Sequence, residues 1–504
     1  MTKLTPATLV DIAYQKASEV KGAVPIFSLF QGDDAPVFTQ ELLTLGAPLI
    51  ELIQDVYARG IFRADVGQTF LIPPCESLPL GALLVGFGKA DEFDRENAAK
   101  ALSSALNAVA PWAESVTLVA SSWRPNQVDE KLAGFWLTYT AMHSLIKRTH
   151  LKTSDDTPVA LKTLYWVDGT LGKAFKAGLE EGKATAYGML LSRFWADLPP
   201  NICTPAFLAD QVKTLAKDFK SLEVSVWDKK EIKAKKMGAF LAVAQGSEVE
   251  PRFIVVRYHG ADDPNEAPIA LIGKGITFDT GGISLKPAAN MADMIYDMSG
   301  AATVLGSVFA AAKLGLKKNV MAVVAACENM PSGSATKPGD VVTSYSGKTI
   351  EILNTDAEGR LILADALSWT AEQKPAVMVD VATLTGACCI ALGSPYSGLF
   401  STDDSVRDAL RVAGDNAGDE AWPMPVTKAY ERLMKSNAAD IANMATQRDG
   451  GASSAAAFLA VFNGGLPWAH LDVAATANTS GRDHVSTGRP VPLLTRFLFD
   501  WSKQ

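Results

Sequence analysis

Residues 349–369, TIEILNTDAEGRLILADALSW, decide how the chain is read. Thr349 to Leu353 has the β-branched, apolar character of a short strand. Leu361 to Trp369 repeats its apolar residues at helical spacing, so an amphipathic helix follows. A strand leading into a helix is the building unit of an α/β protein. Between the two, Asn354-Thr355-Asp356-Ala357-Glu358-Gly359-Arg360-Leu361 places two carboxylates and a guanidinium at the entry to a buried element. Taken singly, Asp356 reads as a helix cap, and Arg360 reads equally as a structural ion pair or an anion site.

The same alternation extends outward. Phe253–Val256 and Ile269–Ile272 are near-continuous apolar strands, as in a sheet covered on both faces. Val320–Ala326, Ala376–Val381 and Trp468–Val473 read as further strands, and Ala301–Leu316 as a buried, Ala-rich helix. Val426–Met434, Ala455–Phe462 and Pro492–Ser502 read as helices. Residues 1 to about 170 look like a separate α/β unit, with strands at Leu83–Gly88, Ser115–Ser121 and Leu164–Val167 and a helix at Asn97–Val109. Gly86-Phe87-Gly88-Lys89 ends a strand there. It lacks a third glycine, and Asp91, Glu92 and Asp94 would repel a phosphate. Leu171–Ala196 reads as a linker helix interrupted by Gly178, Gly182 and Gly188. Thr204 and Pro205 then start a new helix as N-cap and first residue. The expected division is a domain over 1–170, a linker helix over 171–197 and a catalytic domain over 198–504.

A chain of 504 residues has two domains as its natural prior, and 48% hydrophobic with 20% charged residues is ordinary globular composition. The net charge of −8 argues against nucleic acid as the main partner. The five cysteines form no CxxC, and Cys388 and Cys389 sit in an apolar run as core thiols, which fits a reducing compartment. The first residues lack a long apolar stretch and carry Asp11, and no apolar run approaches the ~20 residues of a membrane span. The expectation is a soluble, cytoplasmic protein without a membrane partner.

Ligands of open α/β sheets bind beyond the carboxyl ends of strands. Three predicted strand ends carry unusual polar residues. One runs from Gly273-Lys274-Gly275 through Asp279 to Lys286 and Asp297, one is the opening stretch, and one is Asp380 to Gly386. Asp279, Asp297, Asp356 and Glu358 could not gather without cations, so the cluster implies bound metal. Two ions sharing carboxylates would lie ~3.5–4 Å apart. There is no HExxH, and His143, His150, His259, His470 and His484 form no ligand pair, which excludes the zincin route. His470 reads as a satisfied core histidine. Lys274, taken alone, reads as a buried lysine paired with Asp279 or Asp297, although a neutral amine beside a dication would be a ligand.

The octapeptide Asn354–Leu361 resembles the signature of the leucyl (cytosol) aminopeptidases. The segment from Gly273 to Asp297 resembles that family's other metal segment. Thr383-Leu384-Thr385-Gly386, Trp468–Asp472 and Thr487-Gly488-Arg489-Pro490 resemble its remaining blocks. The resemblance covers roughly residues 180 to 500; before that it extends only to architecture and length. It implies an N-terminal macro-domain-like α/β domain, a larger α/β catalytic domain with a mixed central sheet, and a homohexamer with its active sites facing an interior cavity. It implies that Asp279 and Glu358 bridge two divalent ions, that Asp356 completes one site, and that Lys274 and Asp297 complete the tighter one. The ions would be Zn²⁺ and/or Mn²⁺, with Mg²⁺ or Co²⁺ acceptable to the same ligands. Met294, Thr383, Leu384 and Gly386 would line the substrate pocket, with Ala475 adding to its apolar part.

The implied reaction releases an N-terminal leucine or similar apolar residue from a peptide. The free α-amine binds one metal, and a bridging water attacks the polarised carbonyl. Lys286 would stabilise the gem-diolate, and a bicarbonate held by Arg360 would carry the proton. Some relatives serve as DNA-binding accessory proteins. The −8 charge, with no basic run longer than Lys229-Lys230 or Lys235-Lys236, opposes that reading here. An inactive homologue would have lost a key residue, and all of Lys274, Asp279, Lys286, Asp297, Asp356, Glu358 and Arg360 are present. A two-metal phosphatase is disfavoured by the apolar Met294 and Ala475.

Overall fold

The computed structural model describes residues 6, 9–44, 47–125, 127–146, 151, 159–167, 171–447, 449–479 and 484–502. Most of the amino-terminal segment, the expected boundary at 170 and His150 lie outside them. The chain divides into two compact α/β units, residues 1–186 and 187–504.

The first unit contains β1 (Asp11–Gln15), β2 (Val24–Gln31), β3 (Val37–Phe38), α1 (Ala47–Ala58), β4 (Thr69–Ile72), β5 (Ala82–Lys89), α2 (Arg95–Val109), β6 (Ser115–Val119), α3 (Glu130–Ser144) and β7 (Thr163–Val167). Its seven-stranded sheet runs β1-β7-β6-β2-β5-β4, with β3 paired to β2. All neighbours along that path are parallel except β4, which is antiparallel to β5. The Gly86–Lys89 segment ends β5, as its sequence suggests.

Helix α4 (Lys173–Ala196) crosses the division between the units. Its glycines do not interrupt it. A Cβ on Gly178 would lie 1.9 Å from the Lys131 carbonyl oxygen of α3, and one on Gly188 would lie 2.6 Å from the Gly306 carbonyl oxygen. These are points of close backbone approach, for which only glycine leaves room.

The second unit continues with α5 (Pro205–Ala216), β8 (Leu222–Trp227), α6 (Lys229–Ala234), α7 (Gly238–Ala244), β9 (Arg252–Tyr258), β10 (Ile269–Asp279), α8 (Ser299–Leu314), β11 (Val320–Asn329), β12 (Val341–Thr343), β13 (Thr349–Glu351), α9 (Gly359–Glu372), β14 (Val377–Ala382), α10 (Gly386–Leu392), β15 (Ser397–Ser401), α11 (Asp404–Ala417), β16 (Ala421–Met424), α12 (Lys428–Leu433), β17 (Ile441–Ala442), α13 (Gly451–Ala460), β18 (Trp468–Asp472) and α14 (Val491–Asp500). Thr204 caps α5 as expected, accepting from the Phe207 amide, with Pro205 in the first turn. The central sheet has eight strands in the order β16-β15-β18-β14-β10-β11-β9-β8. Its middle, β18-β14-β10-β11, is parallel, whereas β9, β8 and β15 run antiparallel to their inner neighbours. The strand before the signature octapeptide is not part of this sheet. β13 belongs to a separate three-stranded sheet with β12 and β17.

Met291–Leu314, a 3₁₀ segment leading into α8, is long and apolar enough to cross a membrane, but 89% of its apolar window is buried. It is a core helix, packed against β10 and β11 on one face of the sheet. On the other face α7 and α9 pack with β10 and β11. There Trp369 meets Phe253 edge-on with ring centroids 5.3 Å apart.

Candidate metal centre

β10 is a single strand from Ile269 to Asp279, so Lys274 and Asp279 are five residues apart on the sheet's central strand. Both are buried. Lys274 can reach past α9 because residue 359 is a glycine. A Cβ there would lie 2.7 Å from the lysine Cδ and Cε. The Lys274 Nζ donates to Asp297 Oδ1 at 2.7 Å, to Glu358 Oε1 at 2.8 Å and to the Thr383 carbonyl at 2.9 Å. Burial alone would depress this ammonium, but Asp297, Glu358 and Asp279 together hold it above its ordinary range.

After Asp279 the chain turns through Gly281 at φ +86° and Gly282 at φ +68°, conformations that favour glycine. This turn is clipped to the signature loop. Thr355 Oγ1 donates to the Gly281 carbonyl at 2.6 Å and accepts from the Ser284 amide at 2.8 Å, and the Thr355 amide donates to Ser284 Oγ at 3.1 Å. The clip brings Lys286 beside Asp279 Oδ2, at 2.8 Å, and into contact with Asp356 Oδ1. Burial and the neighbouring Glu358 push Asp279 up to about 6, against the pull of Lys286 and Lys274. Glu358 is buried, yet Lys274 and Lys286 hold it below its ordinary value.

Carboxylate oxygens of Asp279, Asp356 and Glu358 lie within 4.8 Å of one another. Thr383 Oγ1 donates to Asp297 Oδ1 at 2.6 Å, so Asp297 joins the cluster through both Lys274 and Thr383. Counted as fully ionised, four carboxylates against two ammoniums carry a formal charge of −2 in a largely buried site, and burial there raises Asp297 well above its ordinary value. Asp297 Oδ2 and Glu358 Oε2 are buried oxygens with no hydrogen-bond partner among the described residues. Unpaired buried carboxylate oxygens are costly unless a cation takes them. Hard oxygen donors in surplus negative charge, together with one amine, suit divalent ions.

Arg360, the second residue of α9, is buried and makes no ion pair among the described residues. Its Nη1 donates to the Asn443 carbonyl at 2.8 Å, and its Nε has no partner among the described residues. Burial lowers it to about 10, with Glu358 and Asp472 opposing.

The remaining sequence-predicted residues are placed by their segments. Met294 is half-buried, three residues before Asp297, and Ala475 is half-buried, three residues after Asp472. Leu384 is half-buried in the loop between β14 and α10, and Gly386, the first residue of α10, is exposed. The Leu384 amide is committed to Asp472 Oδ1 at 3.1 Å. His470 is fully buried, with Nδ1 2.6 Å from Asp380 Oδ1, so the core pairing expected of it is present on that side, while Nε2 has no partner among the described residues.

Two asparagines escaped the sequence reading. Asn329 Nδ2 donates to Asp279 Oδ1 at 2.8 Å and to the Thr355 carbonyl at 3.0 Å. Asn443 accepts from the Leu353 amide at 2.9 Å and donates to the carbonyls of Asn354 and Ala357, at 2.7 and 3.2 Å. Neither belongs to a motif, and the only signal available was a polar residue in a mostly apolar stretch.

A mixed α/β sheet with four carboxylates and a buried lysine gathered at the end of its central strand has the donor set of a metal-dependent hydrolase. Residues 190–495 match the family model described as cytosol aminopeptidase family, catalytic domain. A "Probable cytosol aminopeptidase" of Ralstonia pickettii is 51% identical over 459 residues, covering 89% of this chain and 90% of that protein. One of Bordetella pertussis is 45% identical over 477 residues, covering 92% and 95%. The solved structure of the bottromycin maturation enzyme BotP superposes with a TM-score of 0.82 at 29% identity, covering 95% of this chain and 99% of that one. BotP has also been solved in complex with Mn. The chain belongs to the cytosol aminopeptidase family, whose members are dinuclear metal-dependent aminopeptidases.

Proposed function

We propose that this chain removes leucine, or another apolar N-terminal residue, from peptides. One observation carries the reading: Asp279, Asp356 and Glu358 converge within 4.8 Å while Lys274 reaches the same cluster from the central strand. Asp279 and Glu358 would be shared between two ions, Asp356 would complete one site, and Lys274 with Asp297 would complete the other. Lys274 would then be the neutral amine, its ammonium giving way to the cation. When bound, such ions polarise a carbonyl and lower the pKa of a water. Mn²⁺ or Zn²⁺ suits this donor set, as do Mg²⁺ and Co²⁺.

The rest of the work falls to the chain's own groups. Lys286 is kept charged by Asp279, Glu358 and Asp356 and offers its ammonium to the oxyanion that develops at the scissile carbon. Arg360, whose Nε has no partner among the described residues, would hold a planar anion such as bicarbonate, and that anion would take up the proton. The Leu384 amide is already used by Asp472, so the Leu384 carbonyl and a main-chain group of Gly386 would hold the substrate backbone. Thr383 acts first on Asp297, orienting that carboxylate. Met294 and Ala475 would supply apolar lining for the first side chain. We further propose a cytoplasmic homohexamer, with α4 as the linker between a 1–170 domain and a 198–504 domain. The five unpaired cysteines fit a reducing compartment.

The test is hydrolysis of leucine amide with Mn²⁺, Zn²⁺ or chelator, beside Asp279→Ala. Turnover should need metal and disappear with the substitution, together with most bound metal. No release of leucine under any metal would end the reading. Light scattering of the same sample reads the assembly size.

A further inference from the structure

Asp472 has no place among the groups so far given a task, yet its carboxylate is the most heavily committed in this part of the fold. It ends β18, one strand away from the end of β14, and is 1% exposed. Its Oδ1 accepts from the Leu384 amide at 3.1 Å, the Thr385 amide at 3.5 Å and the Ala474 amide at 3.2 Å. Its Oδ2 accepts from Thr385 Oγ1 at 2.6 Å. Thr385 in turn caps α10, accepting from the Cys388 amide at 3.1 Å. The carboxylate makes no ion pair among the described residues, so backbone and hydroxyl donors satisfy it.

The donors come from two separate segments. One is the loop 383–386, whose other end is tied to the metal cluster through Thr383, by Oγ1 to Asp297 and by its carbonyl to Lys274. The other is the turn 473–476 after β18, which carries Ala475. We infer that Asp472 is a positioning residue: it locks the 383–386 loop and the 473–476 turn into one register relative to the carboxylate cluster. It would thereby set where a substrate backbone and its first side chain lie. This inference rests on the aminopeptidase reading, since those are the two segments that reading gives to the substrate. A loop held at one end by the metal ligands and at the other by a buried carboxylate cannot slide without breaking one of the two anchors. A carboxylate with four donors is also difficult to replace by water.

The test uses the full-length, metal-loaded protein. Thr385→Val removes the hydroxyl from Asp472 at nearly constant volume, and Thr385→Ser restores it. Asp472→Ala removes the whole anchor. Expected for Thr385→Val is a fall in kcat/KM of about 10-fold, carried mainly by KM, with wild-type metal stoichiometry and recovery in Thr385→Ser. Asp472→Ala should lose about 100-fold and discriminate less between leucine and alanine p-nitroanilides. Amide hydrogen exchange should quicken at 384–387 and at 474–476 together. The inference is overturned if serine performs no better than valine, if metal is lost in step with activity, or if exchange quickens in one segment only. Should Asp472→Ala fail to fold, the Thr385 pair decides. Should the wild-type protein release no N-terminal residue, the functional reading fails, and the coupled exchange of the two segments alone decides this one.

Discussion

Arg360 shows how one residue's surroundings define its task. A buried guanidinium ordinarily meets a carboxylate, because an unpaired buried charge is expensive. Arg360 instead keeps one donor on the Asn443 carbonyl and leaves Nε open, with Glu358 and Asp472 close enough to sustain its charge. Replacing it with alanine should leave metal stoichiometry unchanged and lower kcat by about 100-fold, the loss typical of one oriented charge in a reaction site. Added bicarbonate should restore part of the rate. Loss of metal in Arg360→Ala would show that the residue holds the cluster together instead.

The charged residues of the centre were readable for a simple reason. Lys274 stands in an apolar strand and Arg360 at the start of an apolar helix, and neither placement is free of cost. Asn329 and Asn443 offered only a polar residue in an apolar stretch, and Asp472 only its place in the Trp468–Asp472 block. Their residue types are ordinary in turns, and their partners lie 50 to 90 residues away along the chain. Only the fold brings them together.

At the scale of elements, α7 illustrates a cap that the local sequence does not supply. Met237 precedes it and has no side-chain acceptor for the first amides. Asp365, from the middle of α9, takes that place: it accepts from the Phe240 amide at 2.9 Å and from the Tyr345 amide at 2.6 Å. The partner lies 125 residues from Phe240, so no capping pattern could reveal it. Burial pushes the Asp365 carboxyl up to about 7, outweighing the backbone donors of Phe240, Tyr345 and Ala239. A carboxyl raised in the folded state binds its proton more tightly there than in the unfolded chain. Its contribution to stability is complete below about pH 4 and is lost as the pH climbs through about 7, a change on the order of 4 kcal/mol. Asp365→Asn, neutral throughout, should flatten that part of the urea midpoint between pH 4 and 8. An unchanged slope would mean that Asp365 is ionised in the native protein.

The strands and helices expected from apolar runs in the second unit are present, most with ends within a few residues of expectation, whereas β8, β15, α7 and α11 among others were not expected. Pairing did not follow from those runs. Thr349–Glu351 joins a separate three-stranded sheet, and the loop after it is hydrogen-bonded to the turn at Gly281. The glycines of α4 were misread as interruptions. Their close neighbours come from α3 and α8, which local sequence cannot show.

For the whole molecule, the consequence lies in what holds the end of the central sheet together. β10 supplies Lys274 and Asp279, the segment before α8 supplies Asp297, and the loop before α9 supplies Asp356 and Glu358. Elements from both faces of the sheet therefore meet in one cluster with a formal surplus of two negative charges when only lysines balance it. Ions that bind the folded cluster and not the unfolded chain must stabilise the fold by mass action, by about 2.7 kcal/mol for each site at a free concentration 100 times its Kd. Calorimetry should show a Tm several degrees higher with excess Mn²⁺ than with chelator. The difference should vanish in Asp279→Ala, whose missing carboxylate belongs to the shared part of the centre. A Tm indifferent to metal in the native protein would mean that the cluster is satisfied by its lysines, and the metal reading of the centre would fall with it.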